Sequence, residues 1–464
     1  MADLVHYFSQ NKFCVLIEYL TSIPNKFAVK TMLTDFPALM TLADRVHSDQ
    51  DMSPLDASFF YPAGIDKVLH FAGKDRDIQD FYKFLDQANS ANIQNLLLLT
   101  GDKLKNHVDE DSYLKRTRYL ESVNAVMTAK QHGGFNIGVA FNPFKYNEAE
   151  HDAQYFKLHK KIHAGADFII TQLGYDIDAL KHCKKIMHEN GYTQKILACV
   201  MPLNLGRANF MLKHKVAGIV ITPHMVKVLE DEKKSGKNEY AYRRCALQIL
   251  ICKQLGFAGI HLSACHNPDE QLLLEHWINA YRHLDLNALE LLWNSLWQVK
   301  TGKEFIPDFS YSSKQPSIGQ LIKYHHLHMM HNTFFDAKLA RSFGRFIFKA
   351  SFWEKQSTTK ALLKTEWLSK HAVLGCESCG QCRLGETIYI CPETCPKGLA
   401  NGPCGGTTLD YCEFGDRECI HSVKARLAKV VGQTHILKEK LIPTVPITIR
   451  GTSSWKNWYL KTKA

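Results

Sequence analysis

Short apolar runs recur along the first 265 residues of the chain: Cys14–Glu18, Ala28–Leu33, Val68–Phe71, Asn95–Thr100, Asn136–Phe141, Phe168–Gln172, Ile196–Val200, Gly218–Thr222 and Gly259–Leu262. Most are short and rich in Val, Ile, Leu and Phe, the composition of strands buried in a parallel sheet. Between them lie stretches with the apolar period of helices, such as Asp152–His163 and Ala241–Leu255. This alternation predicts an α/β fold, a (β/α)8 TIM barrel, with a doubly wound sheet as the second choice. The nine runs exceed eight strands by one, and Gly218–Thr222 is read as the extra. Polar residues end several runs: Glu18, Thr100-Gly101-Asp102, Asn142-Pro143 and Gln172. In a barrel such strand ends converge on the active site.

The pattern changes after the last run. Leu284–Val299 is apolar at helical spacing, and Lys303–Ser317, with Pro307 and Pro316, reads as a linker. The expected division is a barrel over 1–285, a helical connector over 286–350 and a small cysteine-rich domain over 351–464. His325, His326, His328 and His331 fall on a predicted helix with no Cys, Asp or Glu among them, so they are read as structural.

With 464 residues, 45% hydrophobic and 22% charged, the chain exceeds one ordinary core and lacks the long apolar run of a membrane span. Met1–Leu20 carries Asp3, His6 and Lys12 and is not read as a signal peptide. The 57 basic and 46 acidic residues give a net charge of +11. The excess is dispersed, with only short runs such as Lys160-Lys161. It suits a solvated surface or a polyanionic small molecule, and neither nucleic acid nor a membrane is expected as a partner.

Eight of the 14 cysteines crowd into one segment: Cys376, Cys379, Cys382, Cys391, Cys395, Cys404, Cys412 and Cys419. The other six are scattered through apolar segments, as expected of free thiols in the reducing cytoplasm. The cluster is therefore read as a metal site, zinc or iron–sulfur. Eight thiols suffice for two zinc sites, or for one 4Fe–4S cluster and a further site. The favoured first set is Cys376, Cys379, Cys382 and one of Cys391 or Cys395.

The strand ends also carry a resemblance. Ala164-Gly165-Ala166-Asp167-Phe168-Ile169-Ile170-Thr171-Gln172 resembles a signature of methylenetetrahydrofolate reductases. Val15–Tyr19, Leu69-His70-Phe71, Leu99-Thr100-Gly101-Asp102, Ala140-Phe141 and Lys161 are similar to further motifs of that family, so the likeness spans 13 to about 285. The run Cys376-x-x-Cys379-Gly-x-Cys382, Cys391-Pro-x-x-Cys395-Pro-Lys397, Asn401-Gly-Pro-Cys404-Gly-Gly resembles the C-terminal domain of some bacterial members. It also resembles an iron–sulfur subunit that partners the reductase in acetogens.

The resemblance implies reduction of 5,10-methylenetetrahydrofolate to 5-methyltetrahydrofolate by a flavoenzyme, with FAD, or alternatively FMN, as cofactor. Glu18 would be the catalytic acid, its carboxyl kept protonated near neutrality between Ile17 and Tyr19. Asp102 and Gln172 would bind the pterin. Thr34, His70, Thr100, Gly101, Asp102, Ala140, Phe141 and Lys161 would hold the flavin. NAD(P)H or a protein donor would be the reductant, and a homo-oligomer is compatible with the family. The chain departs from the family where Thr100 replaces an arginine, where Phe141 replaces a tyrosine, and where Gln154, Lys157 and Lys160 replace Asp, Asn and Arg. Two other readings compete: a tetrahydrofolate-dependent methyltransferase or demethylase without flavin, and a non-catalytic zinc-ribbon binding module.

Overall fold

The computed structural model describes residues 3–22, 28–45, 51–62, 64–102, 119–307, 314–415 and 417–460. Eight parallel strands close into a barrel: β1 (Cys14–Tyr19), β2 (Phe36–Leu42), β3 (Lys67–Ala72), β4 (Asn95–Leu99), β5 (Asn136–Phe141), β6 (Phe168–Thr171), β7 (Lys195–Val200) and β8 (Gly259–Leu262). Each pairs with the next, and β8 returns to β1 through Val15↔Ile260. All six residues of β3 and all four of β6 and β8 are buried, as expected of strands covered inside and out. Gly218–Thr222 forms no strand, in line with its reading as the extra run.

The expected strand Ala28–Leu33 is displaced. Met32–Leu33 makes only a two-residue antiparallel ribbon with Phe36–Pro37, and the barrel strand is Phe36–Leu42. Pro37 hid it, because proline inside an apolar run argues against a central strand. Here Pro37 precedes the first rung of the β1–β2 ladder, Val15↔Ala38, so its missing N–H costs the barrel no bond.

The connector divides between its neighbours. Helix α3 (Leu286–Leu296), which follows α1 (Ser122–His132) and α2 (Glu148–His163) in the order used here, carries Trp293. Trp293, Trp297 and Phe305 are buried in the barrel's hydrophobic core, so that unit extends past 285 to Phe305. Part of the expected linker, 308–313, lies outside the described residues. Helix α4 (Ile318–Met330) belongs with the cysteine-rich domain, where Tyr324 packs with Ile388, Tyr389, Leu427 and Ala428. Helices α5 (Lys338–Phe348), α6 (Gln356–Leu374), α7 (Ile420–Val430) and α8 (Ser454–Leu460) complete that domain. Helix α7 packs along α2, which brings the cysteine domain onto the barrel. Among the described residues no helix is long and apolar enough to cross a membrane.

Candidate active site at the barrel mouth

The C-terminal strand ends gather a set of polar side chains. Glu18, near the end of β1, accepts a hydrogen bond from Ser263 Oγ just beyond β8. Thr41 stands beside Glu18 in the β1–β2 register, and its Oγ1 lies 2.6 Å from His70 Nε2. The His70 and His261 rings are 5.8 Å apart, and His261 Nδ1 is 3.5 Å from Cys199 Sγ. Burial holds both imidazoles below their ordinary pKa; the neighbouring ring pushes His70 further down, whereas Glu18 partly opposes the shift at His261. Neutral rings beside a carboxyl give the floor hydrogen-bonding capacity without fixed positive charge. Thr41, Cys199, His261 and Ser263 were not anticipated. The misplaced second strand hid Thr41, whereas His261 and Ser263 were readable as the end of the last run.

The fourth strand leads out through Thr100, Gly101 and Asp102. Thr100 is buried and accepts from Ser122 N at 3.2 Å, tying the strand end to α1. Gly101 takes φ +86°, which favours glycine, and a Cβ there would crowd the Lys74 side chain at 3.0 Å. Asp102 is exposed at the mouth yet ringed by protein, which raises its pKa; Lys397 opposes the rise and Glu413 adds to it.

At the end of the adjacent β5, Phe141 is buried with its ring 4.9 Å from that of Tyr155. Its carbonyl accepts from Gln172 N at 2.6 Å. The Gln172 amide donates to Ala217 O at 3.2 Å and accepts from Leu173 N at 2.9 Å, leaving one N–H and one lone pair for a ligand. Lys161 is buried rather than solvated, and its Nζ donates to Ala140 O at 2.5 Å.

Thr34 does not join this group. It occupies the tip of the ribbon that leads into β2, at the N-terminal end of the barrel, where its N–H donates to Glu275 at 2.8 Å. Phe36 next to it packs on Phe13, which precedes β1, with ring centroids 5.1 Å apart.

The cysteine domain lies across the mouth. Glu121 accepts from Ala400 N and Asn401 N at 3.1 Å and pairs with Lys157 at 3.0 Å. Lys157 Nζ also donates to Gly402 O at 3.2 Å. A Cβ at Gly402, where φ is +143°, would sit 2.7 Å from Lys157 Cβ. Asn142 Nδ2 and Lys145 Nζ each donate to Gly405 O at 2.9 Å. The glycine-rich Asn401–Gly406 motif is thus a close-fitting cover on the ends of the barrel.

Four of the clustered thiols, Cys376, Cys379, Cys382 and Cys391, line one cavity of about 20 Å³ together with Lys370 and Arg383. Cys395, Cys404 and Cys419 interact electrostatically with one another as a second group. Cys412 lies in a turn, its N–H donating to Arg417 O at 2.9 Å. Among the described residues no three His, Cys, Asp or Glu side chains are arranged to hold a metal ion. Of the four histidines, His325 and His326 are exposed, whereas His328 and His331 line a separate cavity.

Residues 38–274 match the family model of methylenetetrahydrofolate reductase. The chain belongs to the methylenetetrahydrofolate reductase family. Residues 356–447 match a second model, described as methylene-tetrahydrofolate reductase C terminal. A Caenorhabditis elegans relative, "Probable methylenetetrahydrofolate reductase (NADPH)", is 27% identical over 208 residues, 44% of this chain and 30% of that protein. The Pectobacterium carotovorum 5,10-methylenetetrahydrofolate reductase is 23% identical over 265 residues, 52% of this chain and 83% of the relative. The chain spans under a third of the nematode protein and 32% of the Schizosaccharomyces pombe methylenetetrahydrofolate reductase 1. A solved Clostridium thermocellum protein that binds two copies of 5-methyl-5,6,7,8-tetrahydrofolic acid is 12% identical, with a TM-score of 0.41 over 60% of this chain and 98% of that one.

Proposed function

We propose that the barrel mouth reduces 5,10-methylenetetrahydrofolate to 5-methyltetrahydrofolate. The observation that carries this reading is Glu18 held by Ser263 at a strand end, within a barrel that matches the reductase family. Ser263 occupies Oε2 and leaves Oε1 to carry a proton. Delivered to a ring nitrogen of the folate, that proton opens the five-membered ring to an iminium ion. The methylene carbon then accepts a hydride. Asp102 and the unused N–H and lone pair of Gln172 are suited to the donor–acceptor edge of the pterin.

A reduced flavin, when bound, supplies the hydride. His70, Gly101 and Ala140 lie toward the mouth, which supports a flavin ring there, whereas the Phe141 ring packs on Tyr155 of α2. The lysines of α2 are differently disposed. Lys157 and Lys161 already bond Glu121, Gly402 and Ala140, and the Ala400–Gly402 segment covers the helix. FAD is the flavin that the resemblance implies, with FMN as the alternative.

In the cysteine domain, Cys376, Cys379, Cys382 and Cys391 share one cavity, and the proline after Cys391 and Cys395 supports an iron–sulfur cluster there, with zinc as the alternative. Such a cluster supplies one-electron transfer, which favours a protein donor in the cytoplasm over direct reduction by NAD(P)H.

The test is an absorption spectrum of anaerobically purified protein, with metal and acid-labile sulfide analysis and reconstitution with FMN and FAD. Flavin bands with iron and sulfide support the reading, and the reconstitution decides between FAD and FMN. Flavin with zinc points to NAD(P)H and a structural cysteine domain. Absence of flavin after reconstitution, with folate bound, transfers the assignment to methyl transfer.

A further inference from the structure

A cavity of about 260 Å³ lies within the cysteine domain, away from the barrel mouth. Its wall contains five rings: Tyr324, His328, His331, Tyr389 and Trp458. These are mutually ordered. His328 stacks on Tyr324 with an interplanar angle of 8°, and His331 meets Trp458 edge-on at 5.2 Å. Asn332 Nδ2 lies 3.1 Å from His328 Nε2, and His328 Nδ1 lies 3.2 Å from Tyr389 Oη. With the Asn332 amide donating, Nε2 accepts and Nδ1 carries the proton, which it donates to Tyr389. The Tyr389 hydroxyl proton is then left for another acceptor.

Three further features converge on the same wall. Helix α4 ends in a π-helical turn, His331–Asp336, a distortion frequent at functional sites. Ile388 and Tyr389 are consecutive left-handed residues, φ +53° and +57°, a conformation that is costly for a β-branched side chain and is retained where surrounding contacts impose it. Arg383, buried and bonded through Nη2 to Glu393 at 2.6 Å, has an Nε–H without a partner. Asp336 and Glu386 add carboxylate acceptors.

We propose that this cavity binds the planar base of a nucleotide, a nitrogen heterocycle that lies among the five rings and offers an acceptor to Arg383 or Tyr389. Stacking platforms with a few placed polar groups recognise such bases. The volume is below the ~300–1,000 Å³ of sites that enclose a whole drug-sized ligand, so the base enters and the ribose phosphate stays outside. Lys440, ion-paired at 3.5 Å with the lining Glu386 and largely exposed, supplies a cation beside the wall. Cys382 and Arg383 line both this cavity and the four-thiol cavity, so the bound base abuts the thiol group. The assignment goes beyond the reaction at the mouth and does not depend on it.

The chemistry is shared by adenine, nicotinamide and isoalloxazine rings, and equilibrium dialysis of the full chain with AMP, nicotinamide mononucleotide and FMN separates them. At least one binds saturably, and Gln433→Trp, which fills the cavity from its rim, removes one site per chain for each probe that the cavity holds. Binding of 5-methyltetrahydrofolate at the mouth is unchanged. Tyr389→Phe, which keeps the ring and removes the hydroxyl, weakens the retained ligand severalfold and serves if Gln433→Trp does not fold. Binding of none of the three probes overturns the assignment. So does an unaltered site count in Gln433→Trp, or, where that variant is unfolded, an unaltered affinity in Tyr389→Phe.

Discussion

Lys397 Nζ donates to Gly101 O at 2.7 Å, so the cysteine domain reaches the end of the barrel's fourth strand directly. The same ammonium pairs with Glu413 at 2.5 Å, both side chains being almost wholly buried. Burial opposes the charge, but Cys404, Glu413 and Asp102 outweigh it and raise the lysine's pKa. Removing one member of a buried pair strands the other, at a cost of about 3–5 kcal/mol. Lys397→Met is therefore expected to lower stability by roughly that amount in denaturant melts, and Lys397→Met/Glu413→Leu to recover much of it. Equal losses in the single and double variants would show that the lysine's bond to Gly101 O, and not its pair with Glu413, carries the stability.

The Glu18–Ser263 contact yields a graded prediction. If Glu18 delivers the proton, Glu18→Gln lowers kcat by about 10²–10⁴ while 5-methyltetrahydrofolate binding stays within a few fold. Ser263→Ala, which removes only the bond that orients the carboxyl, costs roughly tenfold. A Glu18→Gln enzyme with wild-type kcat assigns the acid elsewhere.

These residues show how far the chain could be read before its structure. Seven of the eight strands are continuous apolar runs, and a strand covered on both faces has no other pattern available. The eighth escaped because Pro37 sits inside its run, and with it went Thr41, the hydroxyl on His70. Thr34, expected among the residues that hold the flavin, lies at the N-terminal end of the barrel. Lys157 and Lys161 could be placed on a helix, but their burial could not be foreseen. For Lys157 it involves Gly402, more than two hundred residues away, and periodicity within α2 carries no trace of that cover.

Lys161 makes a pH prediction. Burial chiefly, and then nearby Lys157, bring its pKa down to about 7, against 10.5 for a free lysine. Between those values the unfolded chain holds a proton that the folded one has released, so stability rises with pH across that window. Lys160 and Lys424, lowered to about 8 mainly by burial, add slope of the same sign above that pH. Lys161→Met should therefore flatten the melting curve first between pH 7 and 8, and stabilise the protein at pH 6–7 by an amount on the order of a few kcal/mol. A variant less stable than wild type at pH 6 would mean that the bond to Ala140 O outweighs the burial.

The thiol cavity predicts which cysteines matter. Cys376, Cys379, Cys382 and Cys391 share its wall, whereas Cys252 is buried in the barrel core. If these thiols hold the proposed metal, serine is a poor replacement for one of them, so Cys391→Ser is expected to lose most of it. Because metal binding to such a domain is also folding energy, the same variant, or wild type treated with a chelator, should melt earlier, with the loss confined to the cysteine domain and the 397–407 cover it supports. Cys252→Ser should retain its full metal complement. The check is iron, zinc and sulfide per chain beside a thermal melt for each protein. A full metal content in Cys391→Ser would remove Cys391 from the ligand set and leave Cys395, from the second thiol group, as the fourth ligand.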